Sequence, residues 1–209
     1  MNGVAAEEAA RIAEAFFFAR DLFRPPSVQQ WRFLTAPETG GAWEALARRL
    51  DLSQVAGLPR DAVDYETSYI AAFDAGAPTP PVPLIESHYN KREPVPRILH
   101  ENILFYQSFG LRLLETSNEM ADHLRHQLEF VGHLYKMEAE ELRGRRDSEI
   151  LAQVRAGRRE FIERHLMSWL PDAAERSAKA PDPWIRNFIA MALNLVMFAL
   201  QESAGSPQM

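Results

Sequence analysis

The chain has 209 residues, 46% of them hydrophobic and 25% charged, a formal net charge of -6 and no cysteine. That length holds one large domain or two small ones, and the apolar content excludes a mainly disordered chain. Without cysteine there is no disulfide, thiolate metal site, iron–sulfur ligation or cysteine nucleophile, and the acidic balance serves solubility rather than a general field for nucleic acid.

The N-terminal stretch does not read as an export signal. It opens on Glu7 and Glu8 rather than a basic segment, and Arg11 and Arg20 interrupt the apolar positions. Ile12, Phe16, Ala19 and Phe23 recur at helical spacing, and Pro25 and Pro26 end that helix. Ser27 caps a short second helix with Val28, Trp31 and Leu34, and a third is expected after Gly40 and Gly41, carrying Trp43, Leu46 and Leu50. Pro59 opens a fourth, with Val63, Ile70 and Phe73 on its apolar side and Gly76 at its C-terminal cap.

Prolines at 78, 80, 81, 83, 94 and 96 exclude a continuous helix there and predict a long loop with a task, or a link between two halves. Helical pattern returns from Arg97 towards Leu114, with Leu104, Phe105 and Leu111 apolar and Gly110 inside it. Asn118 is placed to cap a long helix from Glu119 to near Leu142. Asp147 or Ser148 caps the next, which reaches Trp169 and stops at Pro171. The last helix follows Pro181 and Pro183. Its apolar stretch, Trp184 to Leu200, contains Arg186, Asn187 and Asn194 and reads as a buried helix rather than a membrane span. No strand or repeat pattern competes, so the fold class is all-α, a bundle of about eight to ten helices. The expected divisions are N-terminal helices over residues 1–77, a proline-rich hinge loop over 78–96, C-terminal helices over 97–203 and a frayed tail over 204–209.

Along the helix from Glu119, Met120, Leu124, Leu128, Val131 and Tyr135 form one stripe, and Asp122, His126, Glu129 and His133 lie opposite. Those four are a candidate half of a metal site, although no Glu-x-x-His pair occurs in the chain. No Gly-x-Ser-x-Gly elbow, phosphate-cradling Gly-x-x-x-x-Gly-Lys or Gly-x-Gly-x-x-Gly is present, so catalysis and nucleotide binding find no support. The arginines at 143, 145, 146, 155, 158, 159 and 164 read as a solvated face paired with Glu138, Glu140, Glu141 and Glu160.

Four motifs in order carry a family resemblance. They are Asp64-Tyr-Glu-Thr-Ser-Tyr-Ile-Ala-Ala-Phe73, Pro83-Leu-Ile-Glu-Ser-His-Tyr89, Ala121-Asp-His-Leu-Arg-His-Gln-Leu-Glu-Phe130 and His165-Leu-Met-Ser-Trp-Leu-Pro171. Together they resemble the TorD/DmsD/NarJ family of cytoplasmic chaperones dedicated to molybdenum enzymes of the dimethyl sulfoxide reductase type. Ala121 departs from the proline that members often carry before Asp-His. The resemblance implies an all-helical fold with a hinge at the proline loop and a non-catalytic protein without a cofactor of its own. It also implies binding to the apo catalytic subunit of a molybdoenzyme, often at its twin-arginine leader peptide, until molybdopterin is inserted. Nucleic acid and stable membrane insertion are not implied; the state is a monomer or a domain-swapped dimer.

Such a leader presents two arginines and then an apolar segment, so its receptor needs carboxylates beside a hydrophobic groove. Glu86, Asp122 and Glu129 are the candidate acids, Tyr69, Phe73, Tyr89 and Leu128 the candidate groove, Ser87 belongs to the Glu-Ser-x-Tyr motif, and His123 holds Asp122 or fixes the hinge. A metal-binding helical enzyme using Asp122, His126, Glu129 and His133, and a generic helical adaptor, remain as alternatives.

Overall fold

The computed structural model describes residues 2–50, 58–113, 119–144 and 148–205. Nine α-helices are described: α1 Asn2–Leu22, α2 Val28–Thr35, α3 Pro37–Arg49, α4 Ala62–Tyr69, α5 Val95–Ser108, α6 Leu124–Gly144, α7 Ser148–Phe161, α8 Met167–Ser177 and α9 Pro183–Gly205. Two π-helical turns, Ile70–Asp74 and Ile162–Leu166, extend α4 and join α7 to α8. Among the described residues no strand forms; the sole extended pairing is an isolated bridge between Ile85 and His123.

Local chemistry sets the helix ends. Ser27 caps α2 by accepting from the Gln30 N–H, and Asp61 caps α4 by accepting from Val63 and Asp64. At the end of α5, Gly110 takes φ +79°, while Gly110 N–H bonds Gln107 O and Leu111 N–H bonds Tyr106 O. This is the glycine-terminated Schellman arrangement, so Gly110 ends the helix rather than lying within it. Three other expectations shift. The third helix starts at Pro37 and contains Gly40 and Gly41, because proline suits the first turn. The long helix begins at Leu124, not Glu119, because the chain is first pulled into the bridge with Ile85; Asn118 lies outside the described residues. Pro171 sits inside α8, where burial of Trp169, Leu170 and Ala173 outweighs one missing backbone bond.

Helix α1 runs along α6, and Ile12, Phe16, Ala19 and Phe23 are buried as their spacing predicts. The contact is close at Gly132, where an added Cβ would lie 2.9 Å from the Phe17 ring. Of the α6 stripe, Leu124, Leu128, Val131 and Tyr135 are buried, whereas Met120 precedes the helix and is exposed. Val63, Ile70 and Leu104 also face solvent, and Tyr65, Tyr69 and Phe73 supply the buried side of the α4 region instead. Helix α9 is long and apolar enough to cross a bilayer by composition, and half of its apolar span lies inside the fold. Its Trp184 packs on Tyr65 and Tyr69, and its Phe188 on Phe23 and Trp43. A second aromatic group, Phe105, Tyr106, Phe130 and Phe161, fills the space between α5, α6 and α7. One continuous apolar core joins both.

A buried clasp between the proline loop and helix α6

Loop and helix entry meet through backbone bonds. Glu86 N–H donates to Asp122 O at 3.1 Å, and Leu124 N–H to Leu84 O at 2.8 Å. Ser87 N–H donates to Asp122 Oδ2 at 2.9 Å. The Glu-Ser-x-Tyr and Asp-His motifs are thus the two sides of one clasp. His123 caps α6, its Nδ1 accepting the Arg125 N–H at 3.1 Å. That bond requires a neutral ring with the proton on Nε2. Burial, then the charges of His126 and Arg125, lower its pKa to about 3.

Glu86 enters the interior with 1% of its surface exposed. It accepts from Gln127 Nε2 at 2.6 Å and from Asn102 Nδ2 at 3.2 Å, and it faces His165 Nδ1 at 3.1 Å. Gln127 in turn accepts the Trp169 indole N–H at 3.1 Å. Tyr106 donates its hydroxyl to Ala121 O at 2.8 Å. With Asn102 already donating to Glu86 and to Ile98 O, the network assigns the His165 Nδ1 proton to the Glu86 carboxylate. A buried acid surrounded by donors fixes the loop against α5, α6 and the π-helical turn before α8. His165 and Trp169 come from the fourth sequence motif, so its role is inside the protein. Asn102 and Gln127 belong to none of the predicted site residues. A signal for Asn102 exists: Ile98, Asn102 and Tyr106 recur every fourth residue, placing an amide on the buried face of α5.

Asp122 is fully buried. Burial raises its pKa, opposed by the Ser87 bonds and reinforced by the Glu86 charge. Its Oδ1 has no partner among the described residues.

The remaining motif residues sort by exposure. Tyr69, Phe73, Ser87 and Leu128 are buried. Tyr69 donates its hydroxyl to Phe23 O at 3.0 Å and meets Phe73 edge-on. Tyr89 is half-buried between Trp169 and the Arg176 guanidinium, which lies 4.5 Å from its ring centre. Glu129 is the well-exposed acid of the set, with 46% of its side chain accessible, and it pairs with Arg20 at 3.1 Å. The structure therefore unites Glu86, Ser87, Asp122 and His123 in one clasp and leaves Glu129 apart on the α1–α6 surface.

The four residues weighed as metal ligands face different neighbours. Asp122 holds Ser87, His126 faces Glu119, Glu129 pairs with Arg20, and His133 Nε2 lies 3.2 Å from Phe109 O. No group of three or more potential ligands converges among the described residues. The arginine-rich face pairs internally, but only partly as read: Arg155 and Arg158 hold Glu138, with Arg158 and Glu138 buried rather than solvated, and Arg164 holds Glu160, whereas Arg159 pairs with Glu163, Arg164 also with Glu101, and Glu140 with Lys136. Arg145 and Arg146 lie outside the described residues.

The chain as a whole is similar to known proteins. The sequence profile described as nitrate reductase delta subunit matches residues 35–175. The chain is 35% identical to a selenate reductase assembly chaperone protein of Thauera selenatis, over 65% of this chain and 67% of that one. It is 30% identical to a chlorate reductase assembly chaperone protein of Ideonella dechloratans, over 79% and 76%. A perchlorate reductase assembly chaperone protein of Dechloromonas aromatica is also 30% identical, over 66% and 61%. The fold is similar to that of a crystal structure described as a redox enzyme maturation protein of Archaeoglobus fulgidus, with a TM-score of 0.50 at 18% identity, covering 90% of this chain and 92% of that one.

Proposed function

Because this chain belongs to the nitrate reductase delta subunit family, the group that includes the TorD, DmsD and NarJ chaperones, we propose that it assembles a molybdenum-containing reductase of the dimethyl sulfoxide reductase type. The observation that carries this reading is that the three relatives are each named as the assembly chaperone of a reductase. The chain is a chaperone rather than a catalyst, as those relatives are. In this reading it acts in the cytoplasm, holds the cofactor-free catalytic subunit, engages its leader peptide, and releases it after molybdopterin is inserted. The clasp supports the reading as scaffolding: it keeps the loop and four helical elements in fixed register, so the surface offered to a client is pre-organised.

The test is capture of bound proteins from the native host by the tagged chain, in cells grown with and without molybdenum. A reductase catalytic subunit is expected among the captured proteins, enriched when molybdenum is withheld. Capture that contains no reductase subunit under either condition contradicts the proposal.

A further inference from the structure

The clasp leaves open where a client chain would lie, because most of the motif acids and aromatics are inside. Two hollows are lined from either end of the stretch Leu58-Pro59-Arg60, and none of the clasp residues lines either. The first is a cleft of about 40 Å³ among α1, α3 and α9, walled by Leu22, Trp43, Leu58 and Phe188, with Gly40 and Asn187 also lining it. The second is an open basin of about 510 Å³ beside α4, lined by Asp64, Thr67, Ser68 and Asp182 as well as Pro59 and Arg60.

Two details of the cleft have no use among the described residues. Asn187 Nδ2 is buried and has no acceptor among the described residues. Gly40 sits inside α3, where glycine weakens a helix, yet an added Cβ there would meet nothing within 4 Å. Internal packing therefore does not require the glycine, whereas a peptide backbone passing close over it would. The basin complements this. Asp64 and Asp182 form no ion pair among the described residues, not even with Arg60 on the same rim. Glu129 and Glu138, by contrast, already hold arginines of this chain. Two unpaired carboxylates in an open, hydroxyl-lined hollow suit a guanidinium.

We infer that this face docks an extended client segment, with an arginine in the Asp64–Asp182 basin and a short aliphatic side chain in the Gly40–Asn187 cleft. This rests on the chaperone reading and assigns its peptide site. Asp182 directly precedes α9 and Asn187 lies five residues on, a rise of about 7.5 Å with about 140° of turn round the helix. An extended segment passing from one to the other over the Leu58–Arg60 stretch spans that in about three to four residues. A leader with two arginines followed by an apolar segment carries both kinds of side chain.

The test is fluorescence anisotropy with a synthetic labelled peptide of two arginines followed by leucine and valine residues, beside a control with both arginines replaced by glutamine. Gly40→Leu fills the cleft mouth with a better helix former, and thermal unfolding checks that its fold is intact. The Gly40→Leu and the Asp64→Asn/Asp182→Asn variants are each expected to lose about tenfold or more in affinity, the scale of one charged hydrogen bond or one filled pocket. The double variant is also expected to stop distinguishing the arginine peptide from its control. Equal affinity of wild type and both folded variants overturns the assignment. If wild type captures the reductase subunit from the host but does not bind the arginine peptide, this inference fails and the chaperone reading stands.

Discussion

Glu86 and the Asp64–Asp182 pair are acids treated in opposite ways. Glu86 is withdrawn from water and meets Gln127, Asn102 and His165, whereas Asp64 and Asp182 line an open basin without an ion-pair partner among the described residues. A satisfied buried acid specifies one arrangement of its neighbours; an unpaired surface acid keeps its capacity for a partner. Residues that are most recognisable in a sequence therefore need not be those that touch a client. Here three of the four motifs hold the loop shut, and in the docking proposed above recognition falls on residues outside the clasp, one of which, Asp64, opens the remaining motif.

Removing the clasp acid puts the greatest strain on this contrast. Glu86→Ala leaves buried His165, Gln127 and Asn102 groups facing one another without their acceptor, and a loss of about 3–5 kcal/mol in urea unfolding is expected. Glu86→Gln, which keeps the volume and one acceptor oxygen, loses less. Asp122→Ala removes the acceptor of Ser87 N–H and is expected to cost about 1–3 kcal/mol. Asp122→Asn keeps an acceptor and removes a charge that burial disfavours, so it stays within about 1 kcal/mol of wild type at pH 7.

The clasp also has a pH signature. His123 has its pKa lowered to about 3, while an unfolded imidazole titrates near 6.5. Between those values the unfolded chain holds the extra proton, so stability is full above pH 6.5 and falls on acidification towards pH 3, by about 1.4 kcal/mol per pH unit for such a group. His126 and His88 shift in the same direction, through burial first, and add to the slope. His123→Asn preserves a capping acceptor and is expected to flatten that part of the profile while leaving stability at pH 7 nearly unchanged. The smallest effect belongs to Glu129→Gln. Its bond to Arg20 is half-exposed, and a change below about 1 kcal/mol is expected in the same unfolding measurement.

Helix faces are legible in the sequence because burial follows periodicity: Ile12, Phe16, Ala19 and Phe23 turn inward together. The starts of α2 behind Ser27 and of α9 at Pro183 are legible from local chemistry, whereas α3 starts at Pro37 rather than after Gly41, and α4 at Ala62 behind the Asp61 cap rather than at Pro59. The start of α6 is not, because a pairing with residues about 35 positions earlier decides it. The motifs can be recognised as a set, but sequence order does not reveal whether an acid faces water. Glu86 acquires its burial from long-range contacts with α5, α6 and the π-helical turn before α8, and Asp122 from the loop that Ser87 brings over it. The Leu58 face is hidden in the sequence for the same reason: Gly40, Asp64, Asp182 and Asn187 come from separate stretches and meet only in the fold.

If the clasp maintains structure while recognition lies elsewhere, the two roles separate in a single titration. The arginine peptide is titrated against Asp122→Asn and Asp64→Asn/Asp182→Asn, each shown by thermal unfolding to be folded. Wild-type affinity is expected for Asp122→Asn, and a loss of about tenfold or more for the double variant. The reverse, a folded Asp122→Asn that no longer binds beside a double variant that binds as wild type, would contradict this division of roles.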